Sequence, residues 1–390
     1  MSNNKLATMT CETGASENTI NISVASTPAE KKEVYHLRYQ VYVEEMSKHN
    51  HEVDYENKLL YDDMDEWSIL LYAKIGSEII ATKRITIGTI ADFPQNLIDN
   101  LSLGTFDQST TEYGKQKFAF ITKLAVAPAY RNSSVLYLLM AKAYEICCNH
   151  HIQFIFGICY LHLLPLYEQM GCRRYYKNFF YPGLGLAFPI VMLADDVEYL
   201  RKVRSPVFRI ARKRKELNTT AVKWFDATFT YNSSIINSQL VSEEELWSIL
   251  CERLQCLPTK AITLLNSLSV EEAKIFLHNC SVYIECNPDD LITFQGDVSY
   301  SCNILISGRL KSLTFRRPIK EYTTPGQTFG ANGLTEHNKQ REDIAAITPV
   351  EILVLSGLPF QKFTHTHPDI AHKIIQNMIK STPQKPYRIK

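Results

Sequence analysis

The sequence predicts an α+β protein of two folded domains joined by a helical linker, and three observations carry that reading. Between residues 67 and 193, apolar runs of strand length alternate with helix-forming stretches, the pattern of a layered domain with helices packed on a sheet. Between residues 281 and 355 the texture changes to short strands punctuated by Gly296, Gly308, Gly326, Gly330 and Gly333, as in a small β-barrel or jelly roll. A length of 390 residues exceeds one ordinary core and suggests about two to three domains.

The elements follow in chain order. Residues 1–27 are polar, lack the basic start and apolar core of a signal peptide, and are expected to form a flexible tail. Ala29–Met46 places Val34, Leu37, Val41 and Tyr42 at helical spacing just after Pro28, which predicts an amphipathic helix. Trp67–Ala73 and Glu78–Ile87 read as strands with Gly76 in the turn between them, hence an antiparallel pair. Phe118–Val126 is a further strand, and Val135–Asn149 has the Leu, Met and Ala content of a long helix. Gln153–Cys159 (strand), Leu164–Met170 (short helix) and Leu186–Leu193 (strand) complete a first domain spanning 28–205. A basic, helical linker over 206–260 and a C-terminal domain over 261–390 follow.

Composition limits the function classes. With 45% hydrophobic and 21% charged residues, the chain lies far from the composition of disordered proteins. The 42 Lys and Arg against 41 Asp and Glu leave a formal charge of +1, so no global field draws nucleic acid or a membrane surface. That balance conceals one local excess: residues 201–215 hold eight basic side chains and no acidic one. The stretch is either a solvated face or a docking patch for an acidic partner or phosphates. Ten cysteines occur without any C-x-x-C pair, which argues against a zinc ribbon or redox motif and for reduced, buried thiols in a cytoplasmic protein without a metal centre. The longest apolar stretch, Asn178–Leu193, is broken by Pro182 and Pro189 and is shorter than the ~20 residues of a membrane helix.

The N-terminal motifs carry a resemblance. Ile121–Leu136 (ITKLAVAPAYRNSSVL) resembles the strand-loop-helix core of the GCN5-related N-acyltransferase (GNAT) fold, in which a strand ending L-x-V-x-P leads to an arginine, a glycine-rich turn and a helix. Leu166–Cys172 (LYEQMGC) is similar to the L-Y-x-x-x-G-F helix of the same superfamily. The resemblance implies an α/β/α acyltransferase in which Leu124, Ala125 and Val126 bind a pantetheine arm and its thioester carbonyl. It implies that Arg131, Asn132, Ser133, Ser134 and Val135 form the phosphate-facing turn at a helix N-terminus. Serines stand where that fold has glycines, as in the acyl-homoserine-lactone synthases and N-acyl amino acid synthases. That branch is also resembled by Leu37–Glu45, by Asp62, Asp63 and Asp65 ahead of Trp67, and by Thr82–Ile85, whereas its Glu-x-x-Arg is Phe120–Lys123 here.

The resemblance further implies that Tyr167 protonates the departing thiolate, chemistry that suits a phenol, with His162 as a relay or a helix cap. Asp62, Asp65, Glu44 and Glu45 are the acids expected to orient the amine, and Arg38, Tyr42, Trp67 and Arg84 the residues expected at the substrate. The implied donor is an acyl thioester on acyl carrier protein or CoA, the acceptor a small amine such as an amino acid, and no tightly bound cofactor is called for. The basic segment 201–215 offers a dock for the acidic carrier.

The C-terminal half carries a second resemblance. Cys286–Leu310, then Pro325–Leu334 (PGQTFGANGL) and Glu351–Leu355, resemble the strands and phosphate cassette of bacterial cyclic-nucleotide-binding domains. The implied pocket comprises Phe329, Gly330, Ala331, Asn332, Gly333, Leu334 and Arg341. Its family glutamate is Ala331 here, and Gln340 falls where an arginine is expected. A cyclic nucleotide is therefore doubtful, and an assembly role or another ligand is favoured. Two alternatives stand beside the carrier-dependent synthase: a cyclic-nucleotide-gated acetyl-CoA-dependent protein lysine acetyltransferase, and a non-enzymatic scaffold with decayed pockets. A homo-oligomer is compatible with every reading.

Overall fold

The computed structural model describes residues 19–48, 53–107, 110–111, 114–181, 185–229, 236–237, 239–313 and 319–381. The chain divides into two compact units. The first comprises residues 1–158, 170–176 and 189–230, and the second residues 159–169, 177–188 and 231–390. The expected tail lies outside the described residues as far as residue 18, but Asn21–Val24 within it is a strand, β1.

A mixed sheet runs β1, β2 (Ile69–Ile75), β3 (Glu78–Gly88), β4 (Phe118–Val126), β5 (Phe154–Tyr160), β6 (Gly185–Leu193), with the short strand Arg173–Arg174 beyond β6. Helix α1 (Pro28–Tyr39) starts at a capping box: Thr27 accepts the Glu30 amide while the Glu30 carboxylate takes the Thr27 N–H. Those backbone donors pull the Glu30 carboxyl down to about 2, as expected for an acid at a helix N-terminus.

The helix predicted over Ala29–Met46 does not continue as a uniform α-helix. Gln40–Glu45 widens into π-helical turns, and the extra residue per turn rotates Tyr42 and Glu45 away from the face that a 3.6-residue period assigns. Helix α2 (Val135–Asn149) buries Val135, Leu139, Met140, Ala143 and Cys147. A separate core gathers Phe93, Phe106, Phe118, Phe154, Phe156, Tyr175 and Phe225, with the Phe106 ring packed edge-on against Phe154, Phe156 and Tyr175. Such edge-to-face contacts make the core specific as well as apolar.

Two four-stranded sheets form the barrel of the second unit. One runs β7 (Ser281–Cys286), β14 (Val350–Ser356), β9 (Ser301–Ser307), β12 (Thr328–Phe329); the other runs β8 (Leu291–Thr293), β13 (Ile344–Ala346), β10 (Leu310–Ser312), β11 (Glu321–Tyr322). Helices Glu243–Leu254, Val270–Cys280, Gly357–Thr366 and Pro368–Ser381 bury Leu250, Phe276, Phe360 and Ile374 in one core with the barrel. The turn and helix Cys159–Gln169 belong to this second unit, and helix α3 (Leu164–Met170) is the element predicted there. The nine described cysteines are unbridged. Among the described residues no helix is long and apolar enough to cross a membrane, and no three His, Cys, Asp or Glu side chains converge as a metal site would require.

Candidate functional site

Strands β4 and β5 run parallel but pair over only three positions, Ala119–Ile121 with Ile155–Gly157. Beyond Ile121 the β5-facing edge of Thr122–Val126 has no ladder partner among the described residues. An unpaired strand edge presents N–H and C=O groups to any amide-bearing ligand, and a pantetheine arm is such a ligand. The opposite edge of β4 pairs with β3 across a register shift, with Thr82 facing Ala125 and Arg84 facing Thr122. Two residues, Lys123 and Leu124, thus stand opposite one, and Lys123 takes a left-handed φ of 51°, as in a β-bulge. The Tyr42 hydroxyl donates to the Leu124 carbonyl at 2.8 Å, and burial pushes its pKa up to about 12. Of the three expected arm-binding residues, Leu124 therefore already spends its carbonyl on Tyr42.

The turn after β4 leads to α2. Arg131 holds Glu45 with both terminal nitrogens, each at 2.5 Å, and gives its Nε to the Val126 carbonyl. Glu45, expected to orient the amine, instead pairs with Arg131 and ties the π-helical turn to the phosphate-facing turn. Arg131 is correspondingly a brace rather than a free phosphate ligand. Ser133 Oγ donates to the Tyr130 carbonyl and receives the Val135 N–H, while Ser134 caps α2 without any side-chain bond. No acidic side chain lies in the first turn of α2, so its dipole is uncompensated there.

Next to the bulge in β4 lies a buried charged cluster. Arg38 donates to Asp65 at 2.9 Å, Arg84 lies 3.3 Å from Asp65 and also pairs with Asp62, and Lys123 reaches Asp62 at 3.2 Å. Arg84 Nε further bonds Thr122 Oγ1 at 3.0 Å. Burial acts to raise the Asp62 pKa, but the Arg84 and Lys123 cations overcome it and hold the carboxyl below its ordinary value. Arg84 is likewise opposed by burial and carried above its usual range by Asp65 and Asp62. Three cations face two carboxylates, and the fully buried Arg38 has Nε and Nη2 without a hydrogen-bond partner. The cluster brings together the expected Arg38, Asp62, Asp65 and Arg84. Lys123 joins them unannounced; its one signal is a cation at the arginine position of the Glu-x-x-Arg pattern that Phe120–Lys123 replaces.

Other expected residues lie elsewhere. Trp67 is 42% exposed and its ring packs 5.9 Å from Phe93. Glu44 forms an exposed pair with Lys58. Tyr167 and His162 lie in the second unit.

The basic segment 201–215 is not beside the phosphate-facing turn. Arg214 pairs with Asp195 and bonds the Ala194 carbonyl, and Ala194 N–H bonds Gln153 at the start of β5. Because β4 and β5 are parallel, the turn at the end of β4 lies at the opposite end of the sheet, about 20 Å away over a seven-residue strand. Arg201, Lys202, Arg204, Arg209, Arg212, Lys213 and Lys215 are exposed, but they mark a different surface.

In the barrel, Gly330 takes the left-handed φ of 72° that suits a glycine, and residues 331–339 contain no helix. The Ala331 N–H, which a cassette would present to a phosphate, donates to the buried Gln340 Oε1 at 2.7 Å. Leu334 N–H is used by Asn332 and Gly333 N–H by the Ser301 carbonyl, while Arg341 is exposed. Internal groups thus occupy three of the backbone donors of this segment. Adenosine or guanosine 3′,5′-cyclic monophosphate is expected to leave the melting temperature unchanged, although saturation at 100 times a Kd would add about 2.7 kcal/mol. A shift of several degrees in differential scanning fluorimetry would refute this.

The family model "N-acyl amino acid synthase FeeM" matches residues 33–196. No curated protein matches the chain. Among solved structures, FeeM, an N-acyl amino acid synthase from uncultured soil microbes, is 12% identical, covering 50% of this chain and 98% of its own, with a TM-score of 0.38. The acyl-homoserine-lactone synthase LasI is 12% identical over 45% of this chain and 91% of its own, TM-score 0.35. A cyclic nucleotide-binding domain from Methylobacillus flagellatus is 16% identical over 36% of this chain and 78% of its own, TM-score 0.30. The segment 33–196 is an N-acyltransferase domain matched by the FeeM family of N-acyl amino acid synthases, and the chain continues into a barrel that resembles cyclic-nucleotide-binding domains.

Proposed function

We propose that this protein acylates the amine of an amino acid, using an acyl thioester of pantetheine borne by acyl carrier protein or CoA. The observation that carries the reading is the charged cluster: three cations against two carboxylates, with an Arg38 edge left unpaired. A buried site with one excess positive charge is completed by an anion, and the carboxylate of an amino acid supplies it while leaving the amine free to react. The β4 edge without a ladder partner among the described residues and the N-terminus of α2, with no acidic side chain in its first turn, suit the pantetheine arm and its phosphate.

In the reaction the amine nitrogen attacks the thioester carbon, the C–S bond breaks, and the thiolate takes a proton. Tyr167 is assigned as the donor of that proton, and the proton lost from nitrogen leaves to solvent. Asp62 and Asp65 serve to hold the cations in place rather than to act as bases, because their carboxylates are committed to Arg38, Arg84 and Lys123.

Purified protein given acyl-carrier and acyl-CoA thioesters with a panel of amino acids should release free thiol only when an amino acid is present. Decarboxylated amines of the same side chain should be poor acceptors, and Tyr167→Phe should lower kcat by about 10²-fold, the usual size of a lost general acid. Equal rates with the decarboxylated amines would overturn the acceptor assignment, and an unimpaired Tyr167→Phe would overturn the acid.

A further inference from the structure

The helix that carries Tyr167 follows a turn that is held from within the second unit. Within the second unit, the turn before it, Leu161–Leu163, is bonded and stacked onto the barrel. Ser356, at the end of β14 and fully buried, donates its hydroxyl to the His162 carbonyl at 2.6 Å. The His162 ring stacks on Tyr300 with centroids 4.8 Å apart and planes at 27°. On its other side His162 faces Tyr160, the last residue of β5, at 5.6 Å and 24°. Tyr300 in turn meets the ring of His337 at 4.4 Å. Its carbonyl accepts the Gly357 N–H, so the tyrosine is anchored to the segment after β14. Four rings therefore form a continuous row from the end of β5 to residues 331–340, the segment that resembles a nucleotide cassette.

We infer that Tyr300 and Ser356 are positioning residues for acyl transfer: they fix the turn Leu161–Leu163, and through it the direction in which α3 presents Tyr167. The inference rests on the assignment of Tyr167 as the acid. A short helix such as the seven-residue α3 cannot hold its own orientation by internal hydrogen bonds. Its entry turn here is instead fixed by one buried hydrogen bond from Ser356 and by ring contacts of His162 with Tyr300 and Tyr160. Each aromatic contact of this geometry contributes about 0.5–1.5 kcal/mol. The row ends on the exposed His337, so a ligand or partner that moves residues 331–340 changes the stack and thereby the presentation of Tyr167.

The test compares Tyr300→Ala, Tyr300→Phe, Ser356→Ala and His337→Ala in the full-length protein by two readouts. Backbone hydrogen exchange over 161–169 should accelerate about tenfold in Tyr300→Ala and Ser356→Ala, while exchange of β9 outside the substitution stays protected and confirms that the barrel is folded. The kcat of acyl transfer should fall about tenfold in the same variants with the acceptor KM unchanged, Tyr300→Phe should restore both, and His337→Ala should give an intermediate effect. Unchanged exchange over 161–169 in Tyr300→Ala would overturn the inference whether or not the protein proves active. A wild-type protein without acyl transfer would defeat the functional reading alone, leaving the exchange result to decide the positioning role. Faster exchange with an unaltered kcat would refute the catalytic part.

Discussion

Replacing Lys83 by Met is expected to stabilise the protein at neutral pH by about 3 kcal/mol. Lys83 is 2% exposed and its ammonium points at the Met140 sulfur on α2. Burial is the main cause that carries its pKa from 10.5 to about 8, opposed weakly by Cys172 and Cys147. A displacement of that size corresponds to about 3 kcal/mol of lost stability when the amine is charged in both the folded and the unfolded chain. The folded state binds this proton less tightly than the unfolded state does. The penalty is therefore complete below about pH 8, and stability rises with pH between about 8 and 10.5, where the unfolded chain carries more protons. Met has similar length without the charge and fills the same channel. Denaturant unfolding between pH 7 and 10 should show the wild type gaining on the Met variant as pH rises. A Met variant less stable than wild type at pH 7 would show that the ammonium has a compensating partner.

Arg84→Met is expected to do the reverse, costing about 1.5–3 kcal/mol, because the buried carboxylates lose charged hydrogen bonds. Arg84 pairs with both Asp62 and Asp65, and its loss leaves Arg38 and Lys123 to hold one carboxylate each. Arg84→Lys should lose less, since it keeps the charge but not the fork of donors. The Asp62 carboxyl is held below its ordinary value in the folded state. Its contribution is therefore complete above the unfolded pKa near 3.9 and is lost as pH falls through the lower folded value. Acid should accordingly erode the wild type more steeply than Arg84→Met below about pH 4. Urea unfolding of the first unit, followed through Trp67 and Trp224, would measure both effects. Equal acid sensitivity in the two proteins would mean that Arg84 does not set the Asp62 pKa.

The strand Phe118–Val126 and the helices Val135–Asn149 and Leu164–Met170 could be read from the chain to the residue, because a repeating apolar pattern and its end signals are local properties. The motif residues Leu124–Val135 lie along one strand and one turn. The partners of those residues could not be read. Arg38, Asp62, Asp65, Arg84 and Lys123 come from four separate stretches of chain, and only sheet pairing across the bulge at Lys123 brings them together. Glu45 looked like a candidate base until the π-helical turn at Gln40–Glu45 carried it to Arg131. A wide turn has no compositional mark distinguishing it from the α-helix that precedes it.

For this protein, then, the sequence determined which elements form and which chemical groups each one carries, since propensity, periodicity and capping act over a few residues. The tertiary structure decided which of those groups are spent on one another. It gave Tyr42 to Leu124, Gln340 to Ala331 and Ser356 to His162. Each of these bonds spans residues apart in the chain, and its existence depends on how the layers pack around a buried polar group that has to be paired.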